Sequence, residues 1–468
     1  MAVEGILQAA AQYRQSLGGR VHEAIVERTF EEAERIAERA VVREGEARKF
    51  ALDLALDRVL TSRVWGLPVM GLMLAAVLWI TVTGANVPSA MLNDLLIGQG
   101  HPWLLSMFGS MGSPSWVTGF LVDGVYLATA WVISVMLPPM AIFFPLFTLL
   151  EDYGYLPRVS FNLDRAFRWA GAEGKQSLTM MMGFGCNAAG IVSTRIISSP
   201  RERLIAILTN NFSICNGRWP TLILIGTIFV AATAPPAMAG LVAAGSVLAI
   251  AVLGVLMTLL VSRVLSRTIL KGEPSHFSLE LPPYRPPQIG KVIVRSVFDR
   301  TLIVLWRAVV MAAPAGALIW ITSNIIVGGD SLAGHFVGWL DPFGVALGLN
   351  GVILAAYVFA IPANEIIVPT ILMLTLNVAR STLAQQGVML ELDETATRDV
   401  LVNHGGWTLL TGVNLMLFSL LHNPCSTTLM TIYKETKSWK WTLWSALMPI
   451  GIGFAVCGLV ALVWRLVA

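Results

Sequence analysis

Three cysteines stand where polar residues interrupt apolar sequence. Cys186 lies in Met182-Gly-Phe-Gly-Cys186-Asn187-Ala-Ala-Gly190, Cys215 in Ser213-Ile-Cys215-Asn216-Gly-Arg218, and Cys425 in His422-Asn423-Pro-Cys425. A further apolar run is interrupted by Pro362-Ala-Asn364-Glu365. An ionised carboxylate at the bilayer centre costs roughly 2.5–3.5 kcal/mol on insertion scales, so Glu365 is expected to be protonated, paired or bound to a cation. Thiolate, imidazole and carboxylate together suit a transition metal rather than magnesium or calcium. Ligation requires deprotonated thiols, which a nearby helix N-terminus or the metal itself supplies. Cys186, Cys215, Cys425 and Glu365 are therefore the expected metal ligands, with Asn187, Asn216, Asn364 and Asn423 as polar lining of a pathway. No CxxC or HxxxH spacing is present. The reading rests on cysteines recurring at glycine-rich tips and helix breaks.

Blander readings apply to neighbouring residues. Cys457, within Phe454-Ala-Val-Cys457-Gly-Leu-Val460, reads as a small buried hydrophobe. His422 reads as a hydrogen-bond partner between helices rather than a ligand. Arg218 either neutralises a carboxylate or snorkels outward. Glu151 and Asp152 read as a solvated cap. A P-loop needs Gly-x-x-x-x-Gly-Lys-Ser/Thr, but Trp169 and Gln176 occupy the deciding positions around Gly174-Lys175. No nucleotide-hydrolysing enzyme, or enzyme of any other kind, is expected, and no nucleic-acid partner.

The elements that must position these residues are membrane helices. Of 468 residues, 55% are hydrophobic and 13% charged, and the mean hydropathy is +0.69; a soluble chain carries about 25% charge. Apolar stretches long enough to span a bilayer recur, and backbone in lipid must satisfy its own hydrogen bonds, so they are helices. The expected class is an all-α polytopic membrane protein. The first 60 residues are polar, without an apolar signal-peptide core.

Residues 1–63 carry ten Lys or Arg and read as a cytoplasmic helical arm by the positive-inside rule. The first membrane half covers 64–262. A span at 64–84 is followed by an outside segment with a partly buried helix at 85–117, then by a run at 118–150 expected to break at Pro138 and Pro139. Residues 177–194 have basic flanks on both sides and glycines at the centre, so a re-entrant hairpin from the inside is expected. Spans at 204–232 and 239–262 follow. Residues 263–301 form a cytoplasmic loop. The second half, 302–468, holds a span at 302–326, an outside stretch at 327–347, and a second hairpin at 348–378 entering from outside. An outside loop at 379–404 and spans at 405–432 and 442–464 complete seven crossings and two hairpins. Hairpin, broken span and span thus occur twice with opposite orientation, Asn187 matching Asn364. Inverted repeats with discontinuous helices are the usual architecture of secondary transporters, with the site near the midplane.

These motifs resemble the membrane region of the ferrous-iron transporter B family (FeoB). Leu56-Asp-Arg-Val-Leu-Thr-Ser-Arg-Val-Trp-Gly-Leu-Pro68, Val122-Asp-Gly124 and Leu150-Glu-Asp-Tyr-Gly-Tyr-Leu-Pro-Arg158 are similar to its early landmarks. Gly183-Phe-Gly-Cys-Asn187 with Ser193-Thr-Arg195 is similar to its first gate motif, and Asn423-Pro-Cys-Ser-Thr-Thr-Leu429 with Lys434-Glu-Thr-Lys-Ser-Trp-Lys-Trp441 to its late one. The same gate is named for nucleoside-transporter-like hairpins. The resemblance implies Fe²⁺ as transported ion, with no permanently bound cofactor, moving inward across a bacterial cytoplasmic (inner) membrane. It assigns functional cysteines to Cys186, Cys215 and Cys425. The family normally begins with a GTP-binding domain and a helical spacer; this sequence opens in what resembles the end of that spacer, Ile25-Val-Glu-Arg-Thr-Phe-Glu-Glu-Ala-Glu34. The expectation is that a separately encoded GTP-binding protein docks on the arm, or that the membrane part works without it.

Two rival readings stand beside metal transport. A nucleoside-type organic-solute transporter would use Asn187, Asn364 and Glu365 for hydrogen bonding. A membrane scaffold for a signalling GTPase would use the arm and move no cargo. Among metals, Fe²⁺, Mn²⁺, Zn²⁺ and Co²⁺ share ligand types. Membrane lipid is an implied partner, and self-association into a homo-oligomer is left open.

Overall fold

The computed structural model describes residues 55–62, 64–272, 284, 288–379, 392 and 394–467, with scattered positions between 25 and 40. The arm and much of the two long loops therefore lie outside the described residues. The protein is an all-α multi-pass membrane protein. Among the described residues the only strands are Ile326–Val327 and Asp330–Ser331, a two-stranded turn. Among the described residues six helical stretches are long and apolar enough to cross a membrane: Gly66–Ser110, Ser115–Asp152, Pro200–Thr233, Ala239–Arg267, Ile289–Asn324 and Trp439–Val467.

The first stretch opens with α1, Gly66–Asn93, and continues through one π-helical turn to Ser110. The separate outside segment expected at 85–117 is instead mostly a continuation of this helix. Asp94, the charge within it, is held by Gln99 Nε2 at 3.0 Å, so nothing local stops the helix. The second stretch contains α2, Leu127–Asp152, which runs unbroken through Pro138, Pro139 and Pro145. The expected proline break is therefore absent. Proline removes its own amide donor, and a membrane helix packed on its neighbours tolerates that loss; Pro138 and Pro145 are both buried here. Helix α3, Tyr155–Trp169, follows a left-handed turn at Gly154 (φ 88°).

The first hairpin is α4, Gln176–Gly185, and α5, Asn187–Ser193, joined at Cys186. The next crossing is broken: α6, Pro200–Thr209, then an irregular stretch, then α7, Trp219–Ile225. The long α8, Ala239–Arg267, completes the unit. In the second half α9, Leu302–Asn324, is the end of a stretch that begins at Ile289, inside the region expected to be loop. Residues 327–347, expected as an outside stretch, contain the apolar helix α10, Leu332–Ala346. It bends by 115° into α11, Gly351–Phe359. Gly348 supplies the positive φ (67°) at that corner, and the Asn350 side chain caps α11 by accepting from Ile353 N at 2.9 Å.

The second hairpin is α11 with α12, Ile367–Val378. The second broken crossing is α13, Leu409–Leu421, and α14, Ser426–Thr436, and the final helix is α15, Trp439–Val467. The order of hairpin, broken helix and long helix therefore occurs twice. The two units cross over: α5 packs on α14, and α7 packs on α13. Each hairpin or break of one unit is thereby walled by the other.

Candidate metal site at the helix breaks

The site is built from backbone discontinuities. Cys186 has extended dihedrals (φ −154°, ψ 121°) between α4 and α5. Cys215 (φ −74°, ψ 164°) precedes the turn Asn216–Arg218, and Cys425 (φ −62°, ψ 159°) precedes α14. The fourth discontinuity is at Ala363 (φ −151°, ψ 125°), preceding the turn Asn364–Ile366. Each thiol thus occupies the residue that begins a new helical segment, where unpaired amide groups favour negative charge.

Glycine makes the close approach possible. A Cβ on Gly185 would stand 1.8 Å from the Phe143 ring, so the hairpin tip could not seat against α2 with any side chain there. A Cβ on Gly217 would stand 2.5 Å from the Glu365 carboxylate carbon. The first broken crossing therefore presents bare backbone to the carboxylate at the second hairpin.

Four ligand candidates line one small cavity of about 30 Å³: Cys186, Cys215, Cys425 and Glu365. That is about the volume of one water molecule. Asn187 and Asn364 line it too, whereas Asn216 and Asn423 do not. The Asn364 amide reaches Cys215 Sγ at 3.6 Å with its nitrogen and His422 Nε2 at 3.2 Å with its oxygen. Cys425 Sγ lies 3.2 Å from Thr428 Oγ1. Among the described residues no group of three or more His, Cys, Asp or Glu stands in a metal-ligating arrangement. The thiols and carboxylate share a cavity without having closed on a common point.

His422 is buried, with Nδ1 2.8 Å from Ser419 O in its own segment and Nε2 3.2 Å from Asn364 Oδ1 at the second hairpin; a neutral ring donates to only one of these oxygens. Its contact beyond its own segment is the one to Asn364. Arg218 differs from both expectations. It is fully buried and spans the two breaks: Nη1 donates to Asn211 O (2.9 Å) and Leu420 O (3.1 Å), and Nη2 to Asn211 Oδ1 (2.9 Å). Leu420 is in the last turn of α13, whose carbonyls have no intrahelical donor, so a cation there is favourable. Asn211 Nδ2 closes the link by donating to His422 O at 2.7 Å. Cys457 is buried in the helix packing and its thiol donates to Asn414 O at 3.5 Å, apart from the cavity.

Cavity-lining residues that the sequence reading gives no role include Met136, Met140, Val304 and Ala308, and Thr427 and Thr428 within the late motif. The methionines sit four residues apart on α2, one helical face, and line the same cavity as the thiols. That spacing is legible in sequence, but it is also the spacing of ordinary core.

At the basic ends of the helices, charged contacts tie segments together. Arg158, 2% exposed, donates from Nε to Asp57 Oδ1 at 2.9 Å, and Tyr284 OH donates to the same oxygen at 2.6 Å. Burial works to raise the Asp57 carboxyl, and the bonds from Arg158 and Tyr284 outweigh it and hold it below its ordinary range. Glu435, at the end of α14, accepts from Arg195 Nη2 (2.6 Å) and Arg203 Nη2 (2.5 Å), joining the second broken crossing to the turn that follows the first hairpin and to α6.

Comparison with known proteins adds relatives. A family model described as Gate, nucleoside recognition, matches residues 133–229 and 305–439. The model described as Ferrous iron transport protein B C terminus matches 247–300. The chain thus carries a Gate region and a segment similar to the ferrous iron transport protein B C terminus, consistent with the membrane region of FeoB proteins. It is similar to the Fe(2+) transporter FeoB of Staphylococcus aureus, 29% identical over 410 residues that cover 84% of this chain and 56% of that protein. It is also similar to the FeoB of Synechocystis, 28% identical over 400 residues (84% of this chain, 60% of that one), and of Methanocaldococcus jannaschii, 27% identical over 371 residues (76% and 51%). The chain thus spans little more than half the length of these curated relatives. No solved structure matches it significantly.

Proposed function

We propose that the chain carries a divalent metal, ferrous iron, inward across a bacterial cytoplasmic membrane through the cavity at the four breaks. The observation that carries this is the convergence of three thiols and one carboxylate, each from a different discontinuity, on one cavity of about 30 Å³. Soft sulfur with one carboxylate suits Fe²⁺ and its neighbours rather than magnesium or calcium. The relatives' names, Fe(2+) transporter, support the choice of metal. Cys186, Cys215, Cys425 and Glu365 would contact the ion, while Asn187 and Asn364 hold the hairpin tips. The organic-solute reading fits less well, because small-molecule pockets run about 300–1,000 Å³.

The Asp57–Arg158–Tyr284 cluster joins the end of the arm, α3 and the middle loop, and all three segments are rich in Lys and Arg. This supports a cytoplasmic location for that end. It is also where force from a GTP-binding protein docked on the arm would reach the membrane helices. The test is uptake of reduced iron into proteoliposomes. Replacing Cys186, Cys215 and Cys425 together by Ser is expected to abolish uptake while the protein stays folded. Undiminished uptake would remove the cysteines from the pathway. Competition by nucleosides but not by metals would favour the organic-solute reading, and absence of any flux the scaffold.

A further inference from the structure

A second, larger cavity, of about 600 Å³, opens where α10, α11, α12 and α13 meet. Asp341 of α10, Asn350 before α11, Val378 at the end of α12, and His404 and Thr411 on either side of the start of α13 line it. From this cavity α11 runs toward the break at Ala363, α12 returns from the turn Asn364–Ile366, and α13 runs to the break that holds Cys425. With 9, 12 and 13 residues, these helices are about 14–20 Å long. That is about half of a 30 Å hydrocarbon core. The cavity is therefore the mouth of the second unit, and the thiol cavity lies about half a bilayer from it. The stretch Ile289–Asn324 separates this mouth from the Asp57–Arg158–Tyr284 end. It starts beside the end of α2, where Ser296 Oγ donates to Thr148 Oγ1 at 3.2 Å, and finishes at the strands that lead into α10.

Asp341 interrupts the apolar helix α10, and an ionisable residue in such a segment is a candidate for function. Its Oδ1 accepts from Gly351 N at 2.8 Å. That bond is not what caps α11, because Asn350 already accepts from Ile353 N. It also occupies one of about four acceptor positions on a carboxylate. His404 is exposed and brings an imidazole to the same cavity. Among the described residues no Lys or Arg lines the cavity; Arg465 is engaged by the carbonyl of Val345, itself a lining residue. Imidazole favours transition metals and carboxylate accepts divalent ions generally, so the pair suits a divalent transition metal. At about 30 Å³ per water the cavity holds about twenty of them. An ion here keeps its hydration shell, whereas the thiol cavity, about one water in volume, has room for the bare ion alone.

We infer that Asp341 and His404 form a capture site for a hydrated divalent transition-metal ion at the mouth of the second unit, separate from the thiols. Its place on the route of entry rests on the transport reading; its ability to hold an ion does not.

The test is Mn²⁺ binding to the full chain in nanodiscs, read as loss of the free ion's electron paramagnetic resonance signal. The chain carrying Cys186→Ser, Cys215→Ser and Cys425→Ser, which has no thiol in the inner cavity, is compared with and without Asp341→Asn. Asparagine keeps an oxygen for Gly351 N and removes the charge. The melting temperature should therefore hold while Mn²⁺ affinity falls at least about tenfold, the effect of losing roughly 1.4 kcal/mol of binding. His404→Ala should weaken binding in the same direction. No saturable binding to the parent, or equal affinity with and without Asp341→Asn, would overturn the site. Should the triple variant not fold, the same comparison in the wild-type chain decides, by the loss of one Mn²⁺ site. In proteoliposomes Asp341→Asn should also raise the half-saturating Fe²⁺ concentration for uptake at least about tenfold. Unchanged half-saturation in a chain that transports would remove the site from the route. Mn²⁺ binding that depends on Asp341, in a chain that moves no metal, would uphold the site and overturn the transport reading instead.

Discussion

Gly217 offers the sharpest separation of transport from folding. Adding one methyl there places a carbon 2.5 Å from both Cδ and Oε1 of Glu365. Ordinary contact begins near 3.4 Å, so the carboxylate must retreat by about 0.9 Å. It is the far end of a flexible side chain, so the retreat is inexpensive. Gly217 lies in a right-handed turn without positive φ, which alanine adopts freely, and the change lowers unfolded-state entropy by an equivalent of about 0.4–1 kcal/mol. Stability should therefore stay level or rise. Metal–ligand distances tolerate only about 0.2 Å, so the same retreat removes Glu365 from any ion bound with the thiols. Gly217→Ala is expected to lower initial Fe²⁺ uptake in proteoliposomes by roughly 10–100-fold, at unchanged melting temperature. Shortening the carboxylate in the double variant with Glu365→Asp makes room again and should recover part of the loss. Wild-type uptake by Gly217→Ala would refute a role for Glu365 at the ion. A lowered melting temperature that the double variant does not repair would show that the glycine is needed for packing alone.

Two further outcomes concern the frame. Arg218→Met removes the donors to Asn211 O and Leu420 O inside the protein; at about 1–3 kcal/mol for each stranded acceptor, the loss should be roughly 2–5 kcal/mol. It is read by thermal unfolding in detergent, and a variant melting with the wild type would show that water replaces the guanidinium. Glu435→Gln tests the charged tie to Arg195 and Arg203. Burial works to raise this carboxyl, and the two arginines outweigh it and hold it below its ordinary range. Its folded value is depressed, so its contribution is fully present above about pH 5 and is lost as pH falls through the lowered value. Arg195 is largely exposed, which limits the effect at pH 7 to about 1 kcal/mol. The gap in melting temperature between wild type and variant should narrow on acidification, and a gap constant down to pH 4 would dissociate the carboxylate from it.

Where sequence and structure agree, the signal was chemical punctuation in apolar surroundings. Glycines around Cys186 and the Pro424 break are local, and each marks a place where helix cannot continue. Proline alone proved a poor guide inside α2, because packing decides whether a lost donor matters, and packing is not local. The apolar helix at Leu332–Ala346 was hidden by the absence of Lys and Arg, which marks sidedness but not depth. Arg218 is the clearest case of information that sequence lacks. Its acceptors come from residues seven positions earlier and about two hundred later, so its role exists only once the two units have crossed. Met136 and Met140 carry a helical spacing that core and pathway share.

The distribution of the proposed ligands over four discontinuities bears on how an ion would leave. A chelate holds because every arm is fixed relative to the others, and its strength collapses when one arm is withdrawn. Here no two of Cys186, Cys215, Cys425 and Glu365 belong to the same break. A rigid movement of one hairpin against the rest would withdraw one proposed donor while the breaks that carry the others keep their places. Affinity would then fall in steps, donor by donor, and the displacement that opens a way out would be the same displacement that ends the binding.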